Sequence, residues 1–261
     1  MAQGPRRLCP WRAGPHCRAR RAGTAHHRAD RGQRRCHQGH HPLAGRPHLL
    51  PQARQGRAPV QAGHARGAAW SPAFLRLIAP LVKQHLGEQA AFEADNLAQL
   101  FTRVKRGFIR VDADELTYPA HVILRFEIER ALINDEIEVD DIPALWAEKM
   151  RDYLGVDVAG NFENGCMQDI HWPSGMFGYF PSYTLGAMYA AQYFATIRQQ
   201  HPDLDARIAG GDLSPAMNWL DSNIWSQASR WSTDELVTRA TGEPLNASHF
   251  RKHLEARYLG A

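Results

Sequence analysis

The chain changes character at residue 70, and that break bounds everything it can fold into. Residues 1–70 hold no Ile, Phe, Tyr, Lys or Glu, and fourteen Arg face a single Asp, Asp30, for a net charge of +13. A segment so poor in large apolar side chains cannot bury enough surface to offset the entropy of ordering its backbone, so it is expected to be disordered. The rest of the chain reverses the balance, with seventeen Lys and Arg against twenty-six Asp and Glu, a net −9. Ordered structure is therefore expected in residues 71–261, preceded by an Arg/Gly/Pro/His-rich stretch over 1–70.

Three origins compete for that stretch. A basic arm could bind nucleic acid through phosphate contacts. A targeting peptide could be Arg-rich and acid-poor, but such peptides are usually Ser-rich, and residues 1–70 contain no Ser. Out-of-frame translation of a GC-rich gene yields Arg, Ala, Gly, Pro and His in bulk, and it fits best. Natural basic arms usually mix Lys with Arg. Cys9, Cys17 and Cys36 lie in this stretch and only Cys166 lies beyond it, with no C-x-x-C anywhere. Neither a zinc ribbon nor a disulfide framework is supported. His37, His40 and His41 lack ordered neighbours to fix a metal geometry. A lone Cys166 suits a reducing compartment, so a cytoplasmic location is expected.

From Ser71 onward the apolar residues recur at helical spacing. Phe74, Leu75, Leu77, Ile78, Leu81 and Val82 share one broad face after Ser71-Pro72, with Pro80 expected to bend or divide the segment. Residues 96–106 place Leu97, Leu100, Phe101 and Val104 at i, i+3, i+4, i+7. Residues 114–133 repeat Val122, Leu124, Phe126, Ile128, Leu132 and Ile133, with the charges Arg125, Glu127, Glu129 and Arg130 between them. Residues 141–153 are amphipathic, with Asp141 as a candidate N-cap and Pro143 in the first turn. Ser232 with Glu235 forms a capping-box signature, and Asn246 is placed to cap a last helix to Tyr258. Only 108–111 looks like a short strand, so the class is mostly α. Residues 172–197 carry no Asp, Glu, Lys or Arg, yet Pro173, Pro181, Gln192 and four Tyr argue for a buried helix rather than a membrane span.

Chemistry concentrates in residues 165–183, G-C-M-Q-D-I-H-W-P-S-G-M-F-G-Y-F-P-S-Y. Gln168, Asp169, His171, Trp172, Tyr179 and Tyr183 sit there on backbone broken by three Gly and two Pro. Polar groups held on irregular backbone among large apolar side chains suit a catalytic cleft. A packing loop whose Gln, Asp and His satisfy nearby backbone is the competing account. Upstream, Arg110 ends a short apolar run just before Asp112, Asp114 and Glu115. It could form a surface salt bridge to Asp112 or Asp114, worth little. Alternatively, those carboxylates could hold its fork toward a cleft, where it grips a carboxylate.

Together the two constellations resemble the carboxypeptidase Taq family of metallocarboxypeptidases. The resemblance rests on Ile109-Arg110-x-x-Ala113-Asp114 and, more heavily, on Gly165-x-x-Gln168-Asp169-x-His171-Trp172. The surrounding Asp114–Pro119, Gly178–Tyr183, Trp219-Leu220 with Asn223-Ile224, and Thr241–Asn246 segments agree. It implies the C-terminal part of an all-helical metallopeptidase with a deep substrate groove, removing residues from peptides with a free C-terminus. It also implies a zinc or cobalt cofactor that activates water, with a glutamate taking the proton. Arg110 would then hold the terminal carboxylate, and His171 with Tyr183 would serve catalysis at the substrate carbonyl or oxyanion. Gln168, Asp169 and Tyr179 would support substrate binding, with Tyr179 an alternative to Tyr183. A homodimer is compatible with the resemblance, a membrane is not implied, and nucleic acid enters only if the basic arm is genuine.

The departure is as informative as the match. The family binds metal through H-E-x-x-H and a further glutamate downstream, yet no His in this chain is followed by Glu. By the family's spacing those blocks belong within residues 20–60, inside the segment of foreign composition. No metal ligand is assigned, and the chain is expected to be an inactive fragment. A non-enzymatic helical protein with a nucleic-acid-binding arm is the alternative.

Overall fold

The computed structural model describes residues 71–260. The expectations placed on residues 1–70, including the location of the missing metal-binding blocks, lie outside the described residues. The described residues form nine α-helices, in order α1 Pro72–Leu86, α2 Ala94–Phe101, α3 Tyr118–Ile133, α4 Ile142–Leu154, α5 Pro181–Gln200, α6 Leu204–Ala209, α7 Ser214–Leu220, α8 Thr233–Thr241 and α9 Ala247–Tyr258. The described residues contain no strand, and none of their helices is long and apolar enough to cross a membrane. The apolar run at 108–111 is not a strand; it leads into a single 3-10 turn, Arg110–Asp112.

Helix ends follow local chemistry. Ser71 accepts the Phe74 amide at 3.2 Å, and Pro72 sits in the first turn of α1, where no amide is needed. Pro80 does not divide α1: the helix runs unbroken to Leu86, with Pro80 exposed. The helix expected over 96–106 stops at Phe101. Ser232 and Glu235 make the reciprocal capping box at α8, and the Asn246 side chain accepts the Ser248 amide at 3.0 Å. Asp141 stands at the N-cap of α4 but its carboxylate accepts the amide of Glu138, so it closes the preceding turn instead.

Helix α5 is the hub, packing against α3, α7, α8 and α9. Its buried Gly186 and Ala190 permit close approach, and its lower half carries Tyr193, Phe194 and Ile197 into a core with Leu204, Trp219, Leu220 and Val237. Gln192, fully buried, donates to Thr241 Oγ1 at 2.8 Å and accepts the Asn246 amide at 2.8 Å. A buried amide satisfied at both ends ties α5 to the α8–α9 junction. A second core joins α3 to α4 through Leu124, Ile128, Trp146, Met150 and Leu154.

Helix α3 departs from its sequence pattern. Arg125 and Glu129, expected among the charges between apolar positions, are 0% and 5% exposed, whereas Ile123, Phe126 and Ile133 are 44%, 40% and 63% exposed. His121, Arg125 and Glu129 recur every four residues and so share one helix face. That face looks at the irregular segment between α4 and α5.

Candidate active-site wall

The segment from residue 155 to 180 has no helix or strand, as its Gly and Pro content foretold. Two glycines have specific reasons to be there. A Cβ at Gly165 would stand 2.6 Å from the Asn161 carbonyl oxygen, and Gly178 adopts φ 74°, in the region L side chains avoid. The Gly178 amide donates to Glu129 Oε1, while Trp172 Nε1 donates to Glu129 Oε2 at 2.7 Å. One buried carboxylate on α3 thus clamps the segment at two points.

Gln168 fastens the segment to the Arg110 turn. Its Oε1 accepts the Arg110 backbone amide at 2.9 Å, and its Nε2 donates to the carbonyls of Phe108, Asn164 and Gly165 at 3.0, 2.8 and 3.1 Å. Every polar atom of this side chain meets backbone, so Gln168 shapes the wall.

Asp169 is the centre of the wall. Arg110 approaches one oxygen, with Nε and Nη2 at 3.0 and 2.8 Å from Oδ1. Arg125 approaches the other, with Nε 2.5 Å from Oδ2, and donates Nη1 to the His121 carbonyl at 2.6 Å. The partner of Arg110 is therefore neither Asp112 nor Asp114 but a carboxylate 59 residues away. Asp114 instead organises the start of α3, accepting the amides of Leu116 and Thr117 at 3.0 and 2.9 Å. Burial pushes the Asp169 pKa up, but Arg125 and Arg110 outweigh burial and hold it below the ordinary value. Burial lowers the Arg125 pKa to about 10, which leaves it charged at neutral pH. Two cations share one carboxylate.

Arg110 Nη1 also donates to the Tyr118 hydroxyl at 2.7 Å, and its guanidinium lies 5.0 Å from the Tyr183 ring centroid and 5.7 Å from that of Phe180. A cation bracketed by aromatic faces and a carboxylate is held in one orientation. Arg110 is 5% exposed and borders a cavity of about 820 Å³ that Tyr118 and Tyr183 also line.

His171 Nε2 lies 2.9 Å from the Tyr183 hydroxyl, while its Nδ1 is 3.7 Å from Asp169 Oδ1, too far for a hydrogen bond. Burial and then the Arg110 charge lower the His171 pKa, so the ring is neutral at neutral pH. Burial raises the Tyr183 pKa, so the phenol keeps its proton. Only the tautomer protonated at Nε2 leaves the Tyr183 hydroxyl hydrogen available to another acceptor. Tyr183 borders the cavity; His171 stands behind it, packed on Phe180 at 4.4 Å and Tyr179 at 5.6 Å between centroids. Tyr179 meets Tyr183 edge-on at 5.3 Å and is absent from the cavity lining among the described residues.

The structure thus brings together all six residues singled out in the sequence and adds Tyr118, His121, Arg125 and Glu129 from α3. The missed signal was their spacing: polar residues at 118, 121, 125 and 129 follow one helix face. His121 is fully buried, with neither ring nitrogen hydrogen-bonded; burial, then Arg125 and Arg110, lower its pKa to about 4. Among the described residues no group of three or more His, Cys, Asp or Glu could hold a metal ion. The wall does not fit a catalytic metal by itself.

Comparison with known proteins gives this arrangement a context. The family model for the carboxypeptidase Taq (M32) metallopeptidase matches residues 67–258. Carboxypeptidase 1 of Bacillus subtilis is 42% identical over 164 residues, covering 63% of this chain and 32% of that protein. Thermostable carboxypeptidase 1 of Thermus thermophilus is 44% identical over 155 residues, covering 59% and 30%. The solved structure of Trypanosoma cruzi metallocarboxypeptidase 1 superposes with a TM-score of 0.74 at 45% identity, covering 77% of this chain and 43% of that one. The chain therefore spans about a third of the length of these relatives. Over nearly all its described residues, it belongs to the carboxypeptidase Taq (M32) metallopeptidase family.

Proposed function

We propose that this chain forms the substrate-carboxylate wall of a metal-dependent carboxypeptidase, which in the complete family protein removes residues from peptide C-termini. Arg110 carries the proposal. It is a nearly buried guanidinium fixed by Asp169 and Tyr118, bordering a cavity large enough for a peptide end. An exopeptidase must recognise a free terminal carboxylate, and a preorganised fork does this without reorganisation. Tyr183, beside Arg110 on the cavity, is the group placed to donate to the substrate carbonyl, with His171 fixing the direction of its hydroxyl. Asp169 and Gln168 position these groups and do not touch the peptide.

Zinc or cobalt would supply the activated water, but no described residue set fits such an ion. The 261-residue chain is therefore expected to bind peptide ends without cleaving them. Metal-dependent release of C-terminal residues by the purified chain would overturn that expectation.

The anchor is tested by binding. Wild-type chain should prefer an acetylated tripeptide acid over its amide by about tenfold or more, as a lost charge-assisted pair predicts. Arg110→Lys keeps the charge and loses the fork, so its acid-over-amide preference should fall. An undiminished preference in a folded Arg110→Lys chain would remove Arg110 from the role.

A further inference from the structure

We propose that Arg125, which does not reach the cavity, is a positioning residue for anion binding: its charge offsets Asp169 and so leaves Arg110 able to accept a peptide carboxylate. The proposal rests on Arg110 as carboxylate anchor.

Stability alone is a poor account of Arg125. The side chain is fully buried, with Nε 2.5 Å from Asp169 Oδ2, Nη1 donating to the His121 carbonyl and the guanidinium 4.5 Å from the Trp146 ring centroid. Its Nη2 is buried and makes no hydrogen bond among the described residues. A buried guanidinium with part of its fork unpaired costs more than a well-packed apolar side chain in the same space. Neither Arg125 nor Asp169 is among the described residues that line the cavity, so neither is placed to touch the ligand.

The charge count explains what Arg125 does. Arg110 and Asp169 by themselves are a neutral pair, and Asp169 repels any second carboxylate that approaches Arg110. Glu129 is a further buried carboxylate on the same face of α3; its oxygens accept from Trp172 and Gly178, and it makes no ion pair among the described residues. Arg110, Arg125, Asp169 and Glu129 therefore sum to zero, whereas without Arg125 they sum to −1 before the ligand arrives. The imidazoles do not make up the difference, because His121 and His171 are neutral at neutral pH. Glu115 on the cavity wall faces its own cations, with His253 Nε2 at 2.8 Å and Arg257 Nε at 3.2 Å. The Arg125 charge is felt along α3: after burial it is the largest cause of the depressed His121 pKa, one turn away.

Calorimetric titration of the full chain at neutral pH with an acetylated tripeptide acid and its amide tests the assignment. Arg125→Met replaces the guanidinium with an uncharged chain, so acid affinity should fall about tenfold while amide affinity stays, the scale of one unit charge acting through a protein interior. Arg125→Lys restores the charge without the fork and should bring acid affinity back to within about threefold of wild type. A folded Arg125→Met chain with undiminished acid affinity overturns the inference. Equal loss for acid and amide, or equal loss of acid affinity in the Met and Lys variants, overturns it too, because either marks a packing role. If Arg125→Met does not fold, Arg125→Lys decides by itself: a kept acid preference supports the charge, and a lost one overturns it. A wild-type chain that binds acid and amide alike overturns the Arg110 anchor instead.

Discussion

Around the lower half of α5, Tyr193, Ile197, Trp219, Leu220 and Val237 pack as an apolar core, each 6% exposed or less. On the facing side of α3, Arg125, Arg110 and Asp169 fill nearly as enclosed a space with charge. The first region is stabilised by area removed from water and tolerates exchanges of similar volume. The second is costly to assemble: ions leave water, and only close geometry with added hydrogen bonds offsets the loss. Such a network is weak support for stability. Its contribution is to fix Arg110 and the 165–183 segment in one arrangement.

The sharpest way to break this contrast is Asp169→Asn. It leaves two buried guanidinium groups sharing no carboxylate, a change expected to cost about 3–5 kcal/mol in the urea midpoint. A loss under about 1 kcal/mol, the level of exposed pairs, would show that the wall is solvated and erase the distinction.

Ile197→Ala, in the fully buried apolar region, should cost about 2–5 kcal/mol by lost transfer energy and a residual cavity. It should leave the acid-over-amide preference of the chain intact, whereas Asp169→Asn should abolish that preference even where the chain is folded. Loss of preference in both variants would mean that the two regions form a single unit.

The finest discrimination is by pH. The folded His121 has its pKa lowered to about 4 against an ordinary 6.5, so the unfolded chain binds the extra proton between those values. Stability from the neutral buried ring is complete above pH 6.5 and is lost as pH falls toward 4, by at most about 3 kcal/mol. Asp169, also depressed, adds a loss at lower pH as its carboxyl protonates. His121→Phe should flatten the first window and leave the second, because neither His121 nitrogen makes a hydrogen bond to lose. An unchanged pH profile between 6.5 and 4 would assign that acid sensitivity to other groups.

Much of the fold was legible because its causes are local. The Ser232–Glu235 capping box, the Asn246 cap and the start of α1 at Pro72 each depend on residues within four positions. The site was legible in part through its motifs, which gathered Arg110, Gln168, Asp169, His171, Tyr179 and Tyr183. What stayed hidden was α3, whose mixed apolar and charged pattern points no single face inward. Spacing placed Phe126 and Ile133 in the apolar repeat and Arg125 among the charges between, whereas the structure exposes the first two and buries the third.

By itself the sequence determined a mostly helical fold for the described residues, its family, and the residue types gathered at 165–183. Only tertiary structure decided the pairings. Asp169 meets Arg110 across 59 residues and Arg125 across 44, and Gln168 reaches the Arg110 amide across 58. Capping and periodicity act over one helical turn, so they cannot choose among distant carboxylates. That choice falls to the fold, because a buried charge is tolerable only where the packed backbone delivers its partner.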